Sequence, residues 1–164
     1  MDNPDFLQWR DDKHSRLLWI EGDASQGKTR LLYDISNELQ LSLDDALVLF
    51  LLFQATENNP TGTTEMMRRL IYLFVKQRPP LRLHVDIERC HSGRAAFQGP
   101  DGAAVLSYLL STILADPNLP NTYMIVDMFG EPDDDFSKTL DFLVRKPTPS
   151  RIKWVFAPQE GQIR

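Results

Sequence analysis

Eight consecutive residues, Gly22-Asp23-Ala24-Ser25-Gln26-Gly27-Lys28-Thr29, satisfy the pattern G-x-x-x-x-G-K-[ST] at every fixed position. The pattern constrains the fold because it works only at one kind of junction. A buried strand must lead into it and a helix must leave it, so that backbone N–H groups turn inward around phosphate oxygens and the helix N-terminus adds its positive end. Both flanks are present. Leu17-Leu18-Trp19-Ile20 is a short apolar run of the kind a two-sided buried strand shows, and Leu31, Leu32, Ile35 and Leu39 recur at helical spacing from Thr29 onward. In such a loop the Lys28 ammonium reaches the β- and γ-phosphates of a nucleoside triphosphate, and the Thr29 hydroxyl is offered to Mg²⁺.

The rest of the chain repeats this strand and helix alternation. Ala46 to Phe53, Tyr123 to Val126 and Ile152 to Ala157 are apolar runs of strand length. Between them, Met66, Met67, Leu70, Ile71 and Phe74 mark one helix, ended by Pro79-Pro80. Leu81 to Cys90 reads as a further helix and Ser92 to Gly102 as a loop. Asp101 is placed to cap a helix carrying Val105, Leu106, Leu109 and Ile113, and Phe136, Leu140, Leu143 and Val144 form the last helical face. The pattern predicts an α/β domain with a mainly parallel sheet, whose ligand site lies beyond the carboxyl ends of the strands.

A phosphate loop alone holds a metal poorly, and a carboxylate delivered by a second strand completes the site. Asp127, directly after Tyr123-Met124-Ile125-Val126, is placed for that; its other reading is a residue that ends the strand or caps a turn. Glu131, four residues on, either polarises an attacking water or is a solvated loop carboxylate. Asp133-Asp134-Asp135 precede a helix and suit its N-terminus better than a metal cluster. His84, Cys90 and His91 lack a fourth ligand at a zinc spacing and read as ordinary helix or loop residues. Met66-Met67 reads as core, and Arg68-Arg69 with Arg78 as a solvated face.

Net charge narrows the partners. At −5, with no dominant block of Lys and Arg, the chain is not expected to coat nucleic acid or an acidic membrane. The longest apolar run, Ala46 to Phe53, is far short of the roughly 20 residues that cross a bilayer. One cysteine and an acidic start without a secretory pattern point to a cytoplasmic protein.

With these residues in place, the chain resembles the NACHT nucleoside-triphosphatase domain of fungal NOD-like receptors, in the STAND class of P-loop NTPases. The resemblance runs from Asn3-Pro4-Asp5-Phe6-Leu7-Gln8-Trp9-Arg10 through the phosphate loop, Phe53-Gln54-Ala55-Thr56, Leu70-Ile71-Tyr72-Leu73 and the Tyr123 to Asp127 strand. It continues to Leu140-Asp141-Phe142-Leu143 and Arg151-Ile152-Lys153-Trp154-Val155, covering nearly the whole chain. It implies a three-layer P-loop sandwich over residues 1–164, helices on both faces, with the last strand inserted between the first and third to give the order 2-3-4-1. It also implies a switch that binds ATP or GTP with Mg²⁺, self-associates through its NACHT domains and triggers programmed cell death or a non-self response. The helical and winged-helix segments usual in the family would have to follow Arg164.

Two departures from the family pattern bear on chemistry. The usual acidic pair after the strand is replaced here by Asp127-Met128-Phe129-Gly130-Glu131, and a Ser-Ser-Arg-like ending of the last strand by Ala157-Pro158-Gln159. Losing an acid and a cation affects the transition state more than ground-state binding, so nucleotide binding with slow or absent hydrolysis is expected. A catalytically silent binding scaffold and a P-loop kinase of small metabolites are the alternatives.

Overall fold

A computed structural model describes residues 2–22, 27–54, 62–98, 101–129, 136–145 and 151–158. Four strands, β1 (Leu17–Trp19), β2 (Leu47–Gln54), β3 (Thr122–Phe129) and β4 (Ile152–Ala157), form one sheet in the order β1-β4-β3-β2, every pair parallel. This is the expected 2-3-4-1 order. The last strand lies between the first and third: Leu18 pairs with Val155, and Tyr123 and Asp127 pair with Lys153 and Ala157.

The strands are continuous apolar runs because the sheet is covered on both sides. Leu49, Leu51 and Phe53 of β2, Met124 and Val126 of β3, and Trp154 and Phe156 of β4 enter one core. That core is closed by α3 (Gly62–Gln77), α5 (Gly102–Leu114) and α6 (Phe136–Arg145). The alternate residues Val48, Tyr123, Ile125, Val155 and Ala157 enter a second core, closed by α1 (Pro4–Asp11) and α2 (Lys28–Ser42). Period-two side chains thus divide between two helical layers. Each large side chain so buried contributes about 1.5–3 kcal/mol.

Several local differences from the sequence reading have physical causes. Helix α1 was not expected as a helix; it starts where the Asn3 side chain accepts hydrogen bonds from the Asp5 and Phe6 N–H groups at 2.9 and 3.1 Å, with Pro4 at its first position. Its Phe6 and Trp9 are buried, Trp9 edge-on to Tyr123. Leu31 lies outside the buried stripe of α2, which is Leu32, Ile35 and Leu39. Helix α4 (Arg82–Ser92) follows a 3-10 turn at Pro79–Leu81, and a second such turn, Arg94–Phe97, occupies part of the expected loop. Asp101 does precede α5, but its side chain makes no capping bond.

The free edge of β2 is partly covered. Arg69 donates to the Leu52 carbonyl and Gln77 to that of Val48, both at 3.3 Å, so two outward acceptors of an eight-residue edge strand are occupied by side chains of α3.

Candidate functional site

The site forms where the loop after β1, the first turn of α2 and the ends of β3 and β4 meet. Gly22 and Gly27 have φ of 143° and 75°, values that a side chain would strain. Among the described residues nothing lies within 4 Å of a Cβ built on Gly27. Gly27 is the N-cap and supplies no side-chain acceptor, which leaves the first N–H groups of the helix for another partner. Asp23, Ala24, Ser25 and Gln26 lie outside the described residues.

Lys28 and Thr29 open α2 and point back to the sheet. Lys28 is only 8% exposed, and its ammonium donates to the carbonyl of Pro158, the residue after β4, at 2.5 Å. The Thr29 hydroxyl donates to Asp127 Oδ2 at 2.7 Å, joining residues 98 positions apart. Asp127 is 2% exposed. It does not end its strand: Met128 and Phe129 continue β3 opposite Phe53 and Gln54, so the strand-terminating reading falls away. Insertion of β4 beside β3 brings Pro158 next to this carboxylate and lets Lys28 serve both.

Burial pushes the Asp127 carboxyl above its ordinary value, while the Thr29 hydrogen bond and the Lys28 charge pull it down. Between the ordinary and the raised value the folded chain holds a proton that the unfolded chain has lost. Stability from this group therefore falls as pH rises through that window, and at neutral pH the buried carboxylate is a net expense. Asp127→Asn keeps an acceptor for Thr29 and removes the charge. The nucleotide-free variant is expected to melt higher than the parent at pH 7, at about 2–4 °C per kcal/mol for a chain of this size, with the gain vanishing below the ordinary carboxylate range. A lower melting temperature at neutral pH would contradict this account.

The donor set fits a hard divalent cation. A threonine hydroxyl and a carboxylate within 2.7 Å of each other are oxygen ligands of the kind Mg²⁺ takes alongside phosphate and water, and a cation would relieve the burial of Asp127. Among the described residues there is no group of three His, Cys, Asp or Glu that could hold a metal by itself. Glu131 and Gln159 lie outside the described residues. His84 is paired with Asp116 at 2.7 Å and His91 with the Ile87 carbonyl, which favours the structural reading of both over zinc.

Sequence reasoning passed over Pro158 and Lys153. Pro158 acts through its carbonyl, which no side-chain pattern reveals. Lys153 could have been noticed as a charge inside the apolar strand Ile152 to Ala157; it is buried, and its ammonium donates to the carbonyls of Trp9, Asp12 and Ser15, the last two at 2.6 and 3.0 Å.

The fold and this junction define a parallel α/β domain with a glycine-bearing strand-to-helix loop backed by a buried carboxylate. Residues 1–157 match the family described as Nephrocystin 3, N-terminal, and the chain belongs to that family. It is 40% identical over 156 residues to the vegetative incompatibility protein HET-E-1 of Podospora anserina, an alignment that covers 94% of this chain and 12% of that protein. The chain thus spans a small part of its relative. No solved structure gives a significant match. Among the described residues no helix is long and apolar enough to cross a membrane.

Proposed function

We propose that the chain is the nucleotide-binding core of a NACHT-type P-loop NTPase, a switch module of a cytoplasmic fungal NOD-like receptor. The observation that carries this reading is the Thr29–Asp127 hydrogen bond, which ties the end of a complete phosphate-loop motif to a buried strand carboxylate. Gly22 to Thr29 would hold the phosphates of ATP or GTP, with Lys28 exchanging the Pro158 carbonyl for phosphate oxygens. Thr29 and Asp127 would hold Mg²⁺, which when bound neutralises phosphate charge.

Asp127 binds and orients, and Glu131 is the candidate for positioning a water. Gln159, with no positive charge, cannot stabilise charge on the terminal phosphate as an arginine would, so turnover is slow or absent. The incompatibility role in the relative's name supports a non-self or cell-death response controlled by self-association of such modules.

Titration of fluorescent ATP and GTP analogues, with Mg²⁺ and with EDTA, tests the reading. Saturable binding that weakens in EDTA is expected, and single-turnover assays should release phosphate slowly or not at all. Absence of binding to either nucleotide by the folded chain would falsify the proposal.

A further inference from the structure

A second site lies away from the phosphate loop, on the outer side of α3. There α3, α4 and α5 enclose a groove of about 420 Å³. Its floor is apolar, formed by Ile71, Val85 and Leu109, and Tyr72 stands at its rim 62% exposed. The adjoining outer surface of α4 carries Leu83 and Ile87, one turn apart and both exposed.

The rim has the opposite charge to the molecule. Arg68, Arg82 and Arg89 line the groove, and the Lys76 ammonium lies 5.8 Å from the Tyr72 ring centre. Asp86 is the one acid of the lining, 3.4 Å from Arg82. Arg68, 41% exposed as a solvated face requires, also donates to the Phe97 carbonyl at 2.7 Å and lies 3.9 Å from Glu65, outside the lining. The Arg89 side chain has no hydrogen-bond or ion-pair partner among the described residues. A cationic rim around an exposed tyrosine, on a chain of net charge −5, is not general surface chemistry. Tyrosine and arginine around an apolar floor are the side chains that dominate binding energy at interfaces.

We propose that this groove docks an acidic amphipathic helix of a partner protein. Apolar residues at i, i+4 and i+7 of that helix fill the floor beside Tyr72, and its flanking carboxylates face Arg82 and Arg89. The surface shares no residue with the phosphate loop, and the proposal stands independently of nucleotide binding.

The test uses the whole chain and a fluorescein-labelled, hydrocarbon-stapled helix with leucines at i, i+4 and i+7 and glutamates between them. A twin with lysines in place of the glutamates serves as its opposite. Anisotropy titrations should show the acidic helix binding, more weakly at high salt, and the basic twin binding roughly tenfold less well or worse. The double variant Arg82→Glu/Arg89→Glu should reverse that preference, an outcome that unfolding cannot produce. Tyr72→Ala should weaken the acidic helix while circular dichroism stays unchanged. Failure of the acidic helix to bind, or equal binding to the parent and the double variant, overturns the proposal. So does light scattering that finds the chain self-associated through this face and dispersed by the double variant, since the occupant is then a second copy.

Discussion

Lys28→Ala should lower nucleotide affinity by about 1.5–3 kcal/mol, a factor of roughly 10 to 150 in Kd, the range for hydrogen bonds to a charged group. The effect is large because no described neighbour can replace the ammonium. Gly22 and Gly27 offer backbone only, Thr29 is engaged with Asp127, and Arg30, next along the helix, is in a loose 4.0 Å pair with Asp34 on the exposed side. The same substitution also acts on the free protein. It leaves the Pro158 carbonyl without its donor and Asp127 without the charge that partly offsets its burial, so a stability loss of about 1–3 kcal/mol is expected as well. The two effects are separable by measuring urea unfolding beside the fluorescent-nucleotide titration. A folded Lys28→Ala chain that binds as tightly as the parent sinks the phosphate-loop assignment.

That dual role explains which parts of the site were legible in the sequence. The motif residues were legible because their spacing is local: two glycines, a lysine and a threonine at one strand-to-helix turn. Asp127 was visible as an acid at the end of an apolar run, yet its burial within β3 depends on Phe53 and Gln54 pairing beyond it, which is a property of register. The strands were legible as apolar runs because both faces of the sheet are covered. Their order was not; no residue pattern says that β4 enters between β1 and β3, and the family resemblance alone supplied it. Helix α1 was missed because eight residues show little periodicity, leaving Asn3-Pro4 as its only clear signal. The groove beside α4 was invisible for another reason: its arginines come from two helices, and only packing puts them on one rim.

Lys153→Met should be strongly destabilising, with a loss of roughly 2–4 kcal/mol at about 1–3 kcal/mol for each carbonyl left unpaired, from the 5–15 kcal/mol typical of a domain. The ammonium sits beneath the C-terminal end of α1, where the carbonyls of Trp9, Asp12 and Ser15 converge on it, and lies 5.7 Å from the Trp9 ring centre. Burial pushes the lysine below its usual range, against the pull of Asp12 and Asp11, so the charge is held there at a desolvation penalty. Methionine fills the volume and removes that penalty, but it takes the ammonium donor from the carbonyls of Trp9 and Ser15 and leaves that of Asp12 only the Ser15 N–H at 3.3 Å, and the lost hydrogen bonds outweigh the relief. The contrasting change is Trp9→Phe. The indole N–H is buried without a hydrogen-bond partner among the described residues, so its removal sacrifices ring volume but no hydrogen bond. If α1 is anchored chiefly by the ammonium, Lys153→Met will expose the α1 amides to hydrogen exchange well before global unfolding, and Trp9→Phe will leave them protected. The reverse ranking would assign the anchoring of α1 to aromatic packing against Tyr123 instead.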